Sequence, residues 1–233
     1  MICKNLQTIR CRIAEAAERS GRKVDAIKLS AVSKRKDADK ISLAIKCGQR
    51  IFGENYLQEA EEKIKQLSGE ISWHFIGHLQ SNKAKLAVRL FDVIETVDRL
   101  KIAKALDRHA RELGKNPDIL IQVNIGRELQ KSGVLPENLE QLLQQIKEKT
   151  SLRVCGLMAM PPYSSHPEKS RPYFKELKTI SIQLARKGFF TDTKHIELSM
   201  GMSGDFTVAI EEGATLVRVG TAIFGARNQK PLE

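Results

Sequence analysis

Short apolar runs alternate with longer, charged amphipathic segments along this 233-residue chain, and that alternation limits its fold more than any other feature. The strand-like runs are AIKLSAVS, RIFG, SWHFIG, DVIETV, DILIQVNI, LRVCGLMAM, KHIELSM and TLVRVG. Between them lie DADKISLAIKCG, YLQEAEEKIKQL, SNKAKLAVRL, RLKIAKALDRHAREL, LPENLEQLLQQIKEK, RPYFKELKTISIQLARKG and GDFTVAIEEG, which read as helices. Several end in glycine (Gly48, Gly114, Gly188, Gly213), the residue that accepts the left-handed turn at a helix C-terminus. Strands that alternate with helices pair in parallel through right-handed crossovers. Eight of them in a chain of this length predict a closed (β/α)8 TIM barrel. A doubly wound open sheet is the alternative. A further helix at about residues 4–20 precedes a barrel expected over about 27–227. No linker stands out, so 1–233 reads as a single domain.

Composition narrows the class. A hydrophobic fraction of 41% with 29% charged residues is ordinary for a globular protein. No apolar run approaches the roughly 20 residues of a membrane span. The N-terminal stretch carries charge throughout, without the apolar middle of a signal peptide, so the expected location is cytoplasmic. Cys3, Cys11, Cys47 and Cys155 are scattered with no Cys-x-x-Cys pair, which predicts reduced thiols without a zinc site or disulfide framework. The net charge of +11 is spread over helices and mixed with glutamates, as in EEKIKQL and RHARELGK. No basic stripe interleaved with aromatics appears, so a solvated basic surface is the reading preferred over a nucleic-acid face.

Site residues of a barrel fall at the C-terminal ends of its strands. Those ends hold Lys34, Gly53–Asn55, Gly77–Lys83, Val123–Gly126, Gly156–Met160, Ser199–Ser203 and Arg218–Gly225, where polar and glycine residues concentrate. The Pro/Ser-rich stretch Met160–Tyr173 reads as a long loop on the same face. In the first strand Ile27, Leu29, Ala31 and Ser33 share one face, suited to the outer helices; Lys28, Ser30, Val32 and Lys34 share the other. Lys34 would then stand inside the barrel mouth, partly desolvated and nucleophilic toward carbonyls. Position alone leaves open the alternative that it continues an exposed cluster with Arg35, Lys36 and Lys40. The seventh strand runs into MGMSG, and a helix begins near Asp205 with Ser203 placed to cap it. The eighth runs into Gly220 and Thr221, which open a short final helix. Two such loops after strands seven and eight are where barrels bind phosphate. An amine facing a phosphate pocket suits a phosphorylated aldehyde, and pyridoxal 5′-phosphate (PLP) is the common cofactor of that description.

The ordered segments AVSKRK, FGENYLQE, WHFIGHLQSNK, QKSG, GLMAM, LSMGMSGDF and VRVGTAIFGAR resemble the signatures of the PLP-binding homeostasis proteins, from about Ile27 to Arg227. The resemblance implies a barrel like the N-terminal domain of alanine racemase, with a PLP Schiff base on Lys34. It implies phosphate contacts from Ser199, Gly201, Met202, Ser203, Gly220 and Thr221, with Arg218 near the pyridine nitrogen. Asn55, His78 and Met158 are expected to line the pocket. An arginine beside that nitrogen keeps it unprotonated, which makes the ring a weaker electron sink than in enzymes with a carboxylate there. The sequence ends soon after FGAR, with no room for the racemase β-domain, and Tyr56, Tyr163 and Tyr173 lie outside the racemase pattern. The expected role is therefore PLP homeostasis without a catalytic residue, acting on amino- and keto-acid pools, with apo-enzymes as possible recipients and a monomeric state. The rival is a PLP-dependent racemase; a phosphosugar barrel and an RNA binder are more distant alternatives.

Other chemistry-bearing residues have plainer readings. His74 and His78 share a strand face but lack a third ligand, so no metal is expected. His109 and His166 read as surface residues, Met200 and Met202 as packing around the phosphate loop, and Cys155 as a buried strand residue. Glu54, Glu59 and the EEK run read as helix-start charge and solvated face.

Overall fold

The structure is a computed structural model describing residues 1–225; Ala226 and Arg227 of the FGAR segment, and the expected barrel end near 227, lie outside the described residues. Eight parallel strands close into a barrel in chain order: β1 Lys28–Val32, β2 Ile51–Glu54, β3 Ser72–Phe75, β4 Val93–Val97, β5 Asp118–Val123, β6 Arg153–Ala159, β7 Glu197–Ser199 and β8 Leu216–Val219. Closure is made by β8 against β1, in register from Lys28 opposite Leu216 to Ala31 opposite Val219. The (β/α)8 expectation holds, and the open-sheet alternative falls on that last pairing.

Helices α2 Ala38–Lys46, α3 Leu57–Gln66, α4 Ala84–Leu90, α5 Leu100–Leu113, α6 Leu139–Lys149, α7 Arg171–Arg186 and α8 Phe206–Glu211 join successive strands, and α9 Thr221–Phe224 follows β8. The extra helix α1 Ile2–Arg19 precedes them. Its apolar stripe of Ile2, Leu6, Ile9, Ile13, Ala16 and Ala17 is buried, as the three-to-four spacing of those residues requires. The four helix-ending glycines all take positive φ, with Gly114 the left-handed cap of α5.

Strand alternation divides the wall into two layers. Leu29, Ala31, Phe52, Trp73, Phe75, Ile94, Ile119, Ile121, Leu157, Leu198, Val217 and Val219 belong to the apolar cluster shared with the helices. Their neighbours along each strand therefore face the barrel axis. These are Ser30, Gly53, His74, Glu95, Gln122, Met158, Ser199 and Arg218, and the interior they make is unusually polar. No helix among the described residues is long and apolar enough to cross a membrane.

One expectation is corrected here. Cys3 and Cys47 form a disulfide, with Cα atoms 5.5 Å apart, while Cys11 and Cys155 are free. Cysteines separated by 44 residues in sequence meet because α1 packs beside α2, a neighbourhood that spacing along the chain does not reveal.

Candidate functional site

A cavity of about 520 Å³ opens at the C-terminal mouth of the barrel. One wall carries Lys34 and Lys36, which follow β1, and Asn55, which follows β2. Facing them are Met202, Ser203, Gly204 and Asp205 after β7 and Gly220 and Thr221 after β8. The long β6–α7 loop adds Met160 to Ser164 at the rim, where Tyr163 is exposed. Arg218 closes the floor.

Lys34 is half-buried in this wall, and Lys36 is buried. Of the cluster offered as the alternative for Lys34, Arg35 is exposed, while Lys34 and Lys36 are turned into the wall. The Lys36 ammonium donates to the carbonyl oxygens of Phe224 at 3.5 Å and Gly225 at 3.1 Å, joining the β1 loop to the end of α9. Extending the β1 alternation by one step would have placed Lys36 beside Lys34.

The loop after β7 is shaped by its glycines. Gly201 has φ of +90°, and a Cβ there would lie 2.6 Å from the Ala209 Cβ and 2.9 Å from the Phe206 Cα. Only glycine serves both demands. The Gly220 backbone packs on β1 so closely that a Cβ would sit 3.2 Å from the Val32 carbonyl oxygen. Asp205, not Ser203, occupies the N-cap position of α8, but its side chain makes no bond into the helix; it turns back to accept from the Met202 N–H at 2.7 Å and the Ser170 hydroxyl at 3.0 Å, and so fixes the β7 loop. Ser203 is left beside Thr221 on the same wall of the cavity, its hydroxyl oxygen accepting from the Thr221 hydroxyl at 3.5 Å.

Beneath the cavity lies a buried polar chain. Arg218 donates through Nη1 to the Ser199 hydroxyl at 2.5 Å and through Nη2 to the Ala159 carbonyl at 2.9 Å. The Ser199 hydroxyl donates to Glu95 Oε2 at 2.5 Å, and His74 Nδ1 meets Glu95 Oε1 at 2.7 Å. Burial alone would raise the Glu95 carboxyl. Its hydrogen bond and attraction to His74, with Arg218 and Ser199 added, outweigh that and hold it below the ordinary carboxylate range. Burial lowers the Arg218 guanidinium, opposed by Glu95 and Asp205. Polar residues at the centre of apolar strands, as in DVIETV, were the available sign of this interior.

Seven sequence-expected residues line the cavity: Lys34, Asn55, Met202, Ser203, Arg218, Gly220 and Thr221. Ser199 and Met158 lie in the interior below it, both fully buried, and Gly201 supports the β7 loop from behind. His78 does not line it: it is exposed, with Nδ1 3.0 Å from the Ser132 hydroxyl. His74 and His78 are thus parted, and no cluster of three metal-ligating side chains occurs among the described residues. Cys155 is half-buried, and burial pushes its thiol up to about 12.

Residues 5–228 match the family described as alanine racemase, N-terminal domain. Among curated proteins, the pyridoxal phosphate homeostasis protein of Aquifex aeolicus (strain VF5) is 42% identical over 226 residues, 97% of this chain and 98% of the relative. That of Escherichia coli (strain K12) is 44% identical over 233 residues, 97% of each chain. The solved structure of PipY from Synechococcus elongatus PCC7942 with PLP bound superposes with a TM-score of 0.82 at 35% identity, covering 97% of this chain and all of PipY. Near-full-length identity joined to a shared barrel places the chain in the alanine racemase N-terminal domain family, within its branch of pyridoxal phosphate homeostasis proteins.

Proposed function

We propose that this chain binds PLP at the barrel mouth, that Lys34 holds its aldehyde covalently, and that the protein serves PLP homeostasis in the cytoplasm as a single-domain monomer over 1–233. One observation carries the reading. A single cavity joins a half-buried lysine to the hydroxyls and close-packed glycine turns of β7 and β8, above a buried arginine.

The residues fit the group part by part. Ser203 and Thr221 offer hydroxyls to a phosphate, and Gly204 leaves open space where a side chain would stand, so backbone can approach an anion. Asn55 Oδ1 is buried without a hydrogen-bond partner, an acceptor suited to a ligand donor. A cavity of about 520 Å³ lies within the usual range for cofactor sites. PLP supplies, when bound, an electrophilic aldehyde and an electron-withdrawing ring. Arg218, fixed from below, repels a second positive charge at the ring nitrogen and so restrains that withdrawal.

Retention without turnover accords with that arginine and with the homeostasis name of the curated relatives. The recipients are PLP-dependent apo-enzymes, which links the protein to amino- and keto-acid pools. Among the described residues the exposed large hydrophobics are Met1, Val24, Leu43, Tyr56, Leu113, Leu129, Tyr163 and Ile182, no two of which share a helix or strand, in keeping with a monomer. Basic side chains pair with acidic ones across the surface, which favours small-molecule over nucleic-acid partners.

The test is reduction of the PLP-loaded protein with borohydride and mapping of the labelled peptide. A label on Lys34, lost in Lys34→Ala, is expected; a label on another lysine, or none, overturns the reading. No exchange of an amino-acid α-proton above that of free PLP is expected, and robust turnover would replace homeostasis with catalysis.

A further inference from the structure

Glu54, Glu59 and Lys63 come from segments that read as solvated charge, yet they meet behind the barrel wall. Glu54 is fully buried at the end of β2, and Lys63 on α3 is 6% exposed. The Lys63 ammonium has three protons and three acceptors: Ser33 O at 2.8 Å, Glu54 Oε1 at 2.6 Å and Glu59 Oε1 at 2.5 Å. Glu54 Oε1 also accepts from the Ser33 hydroxyl at 2.7 Å, and Glu59 Oε1 accepts from the backbone N–H of Arg35. Arg35 holds a left-handed φ of +57°, a conformation unfavourable to a residue with a Cβ. The residues immediately before and after Lys34 are therefore both bonded to one cluster on the helix side of the wall, while Lys34 itself lines the cavity on the other side.

We propose that Lys63, Glu54 and Glu59 form a positioning device that aims Lys34 into the cavity, acting through the backbone of Ser33 and Arg35 without touching the ligand. The inference rests on the PLP reading above. In the covalent step the Lys34 nitrogen takes the place of the aldehyde oxygen, which leaves as water, and the rate depends on where the amine is held. Glu54 belongs to the cluster energetically as well: burial raises its carboxyl, while Lys63 and Ser33 oppose that rise.

Two probes separate aiming from general integrity. PLP reports covalent capture; 4′-deoxypyridoxine 5′-phosphate, which lacks the aldehyde, reports phosphate and ring binding alone. Glu59 is partly exposed, so Glu59→Ala removes the Arg35 and Lys63 acceptor while sparing the buried Glu54–Lys63 pair. It is expected to slow PLP capture about tenfold or more, as small misplacements of reacting groups do. Binding of the deoxy analogue should stay within about twofold, because its phosphate contacts lie on the opposite wall and neither Asn55 nor Arg218 bonds to the cluster. Glu59→Gln keeps the acceptor oxygen and is expected to restore most of the rate. Lys63→Met is expected to slow capture further, but the Glu59 pair carries the test if that variant fails to fold. Capture unchanged in Glu59→Ala overturns the proposal, as do equal losses for both probes or failure of Glu59→Gln to rescue. Failure of wild-type protein to label at Lys34 is a separate result, which removes the PLP reading and this inference with it.

Discussion

Glu95 carries the charge balance of the barrel floor. Fully buried, it stands 3.9 Å from the Arg218 guanidinium and hydrogen-bonds Ser199 and His74, so each carboxylate oxygen has a partner. Removing its charge leaves the buried Arg218 with Asp205 alone to oppose it, a change that costs about 3 kcal/mol. Glu95→Gln is therefore expected to lower Tm by roughly 6–12 °C near neutral pH, read by thermal unfolding. The pH dependence has a fixed sign. A carboxyl held below its ordinary value in the folded protein contributes stability that is present above the unfolded value, about 4.3, and is lost as pH falls through the folded one. The gap between wild type and Glu95→Gln should accordingly shrink on acidification, and a gap that widens would refute the assignment. Glu54 has the opposite sign, since its carboxyl is raised, so its protonation on acidification relieves the cost of a buried charge. At this scale the sequence was only partly legible. Strand ends and glycine turns marked the loops that carry Lys34, Ser203 and Thr221, but the choice of Lys34 over an exposed cluster, and Arg218 as a site residue, came from the family resemblance. Lys63 and Glu59 follow from neither: on a charged helix like α3, what selects them is a buried carboxylate on the neighbouring strand, a tertiary fact.

Helices α1 and α2 show what element-level reading captures and what it leaves out. Each barrel element was legible because strand and helix impose different apolar periods, and the α1 stripe has an unambiguous helical spacing. Which helix lies against which is set by the order of closure, and so the Cys3–Cys47 disulfide was not foreseen. That cross-link joins α1 to α2 and encloses β1 with the Lys34 turn. Closing a loop of this size typically stabilises a fold by about 2–4 kcal/mol, through the entropy of the unfolded chain. Cys47→Ser is expected to lower Tm by roughly 5–10 °C in oxidising buffer, and to match wild type once both are reduced. Thiol titration of the unfolded, unreduced chain should find the two free cysteines, Cys11 and Cys155, and reduction should add Cys3 and Cys47. Four reactive thiols before reduction would dispose of the cross-link. Cys3 is exposed, so the disulfide is open to the small thiols of a reducing compartment.

The whole molecule turns on the seam between its first and last strands. β1 and β8 pair to close the barrel, and α1 packs over that seam against α8, α9 and α2. Asn5 bonds the Ile223 carbonyl at 2.9 Å, and Arg22 bonds the carbonyls of Ile210 and Ala214 at 2.8 and 2.7 Å. The cavity straddles the same line, with Lys34 and Lys36 contributed by the β1 side and Gly220 and Thr221 by the β8 side. A ligand held from both sides therefore joins the two ends of the barrel, while β4, β5 and β6 lie across the molecule and are closed by their own pairings. Local opening should begin where closure depends most on α1 and on the ligand. Leu6, fully buried in the α1 stripe, is the place to weaken that strap: Leu6→Ala costs about 2–5 kcal/mol. In hydrogen exchange the variant should lose protection first in β1 and β8 and keep it in β5, with PLP restoring the seam amides selectively. Loss spread evenly over all eight strands would instead mean that the barrel opens as one unit. In that case the seam, though it holds the site, would not be its weak point.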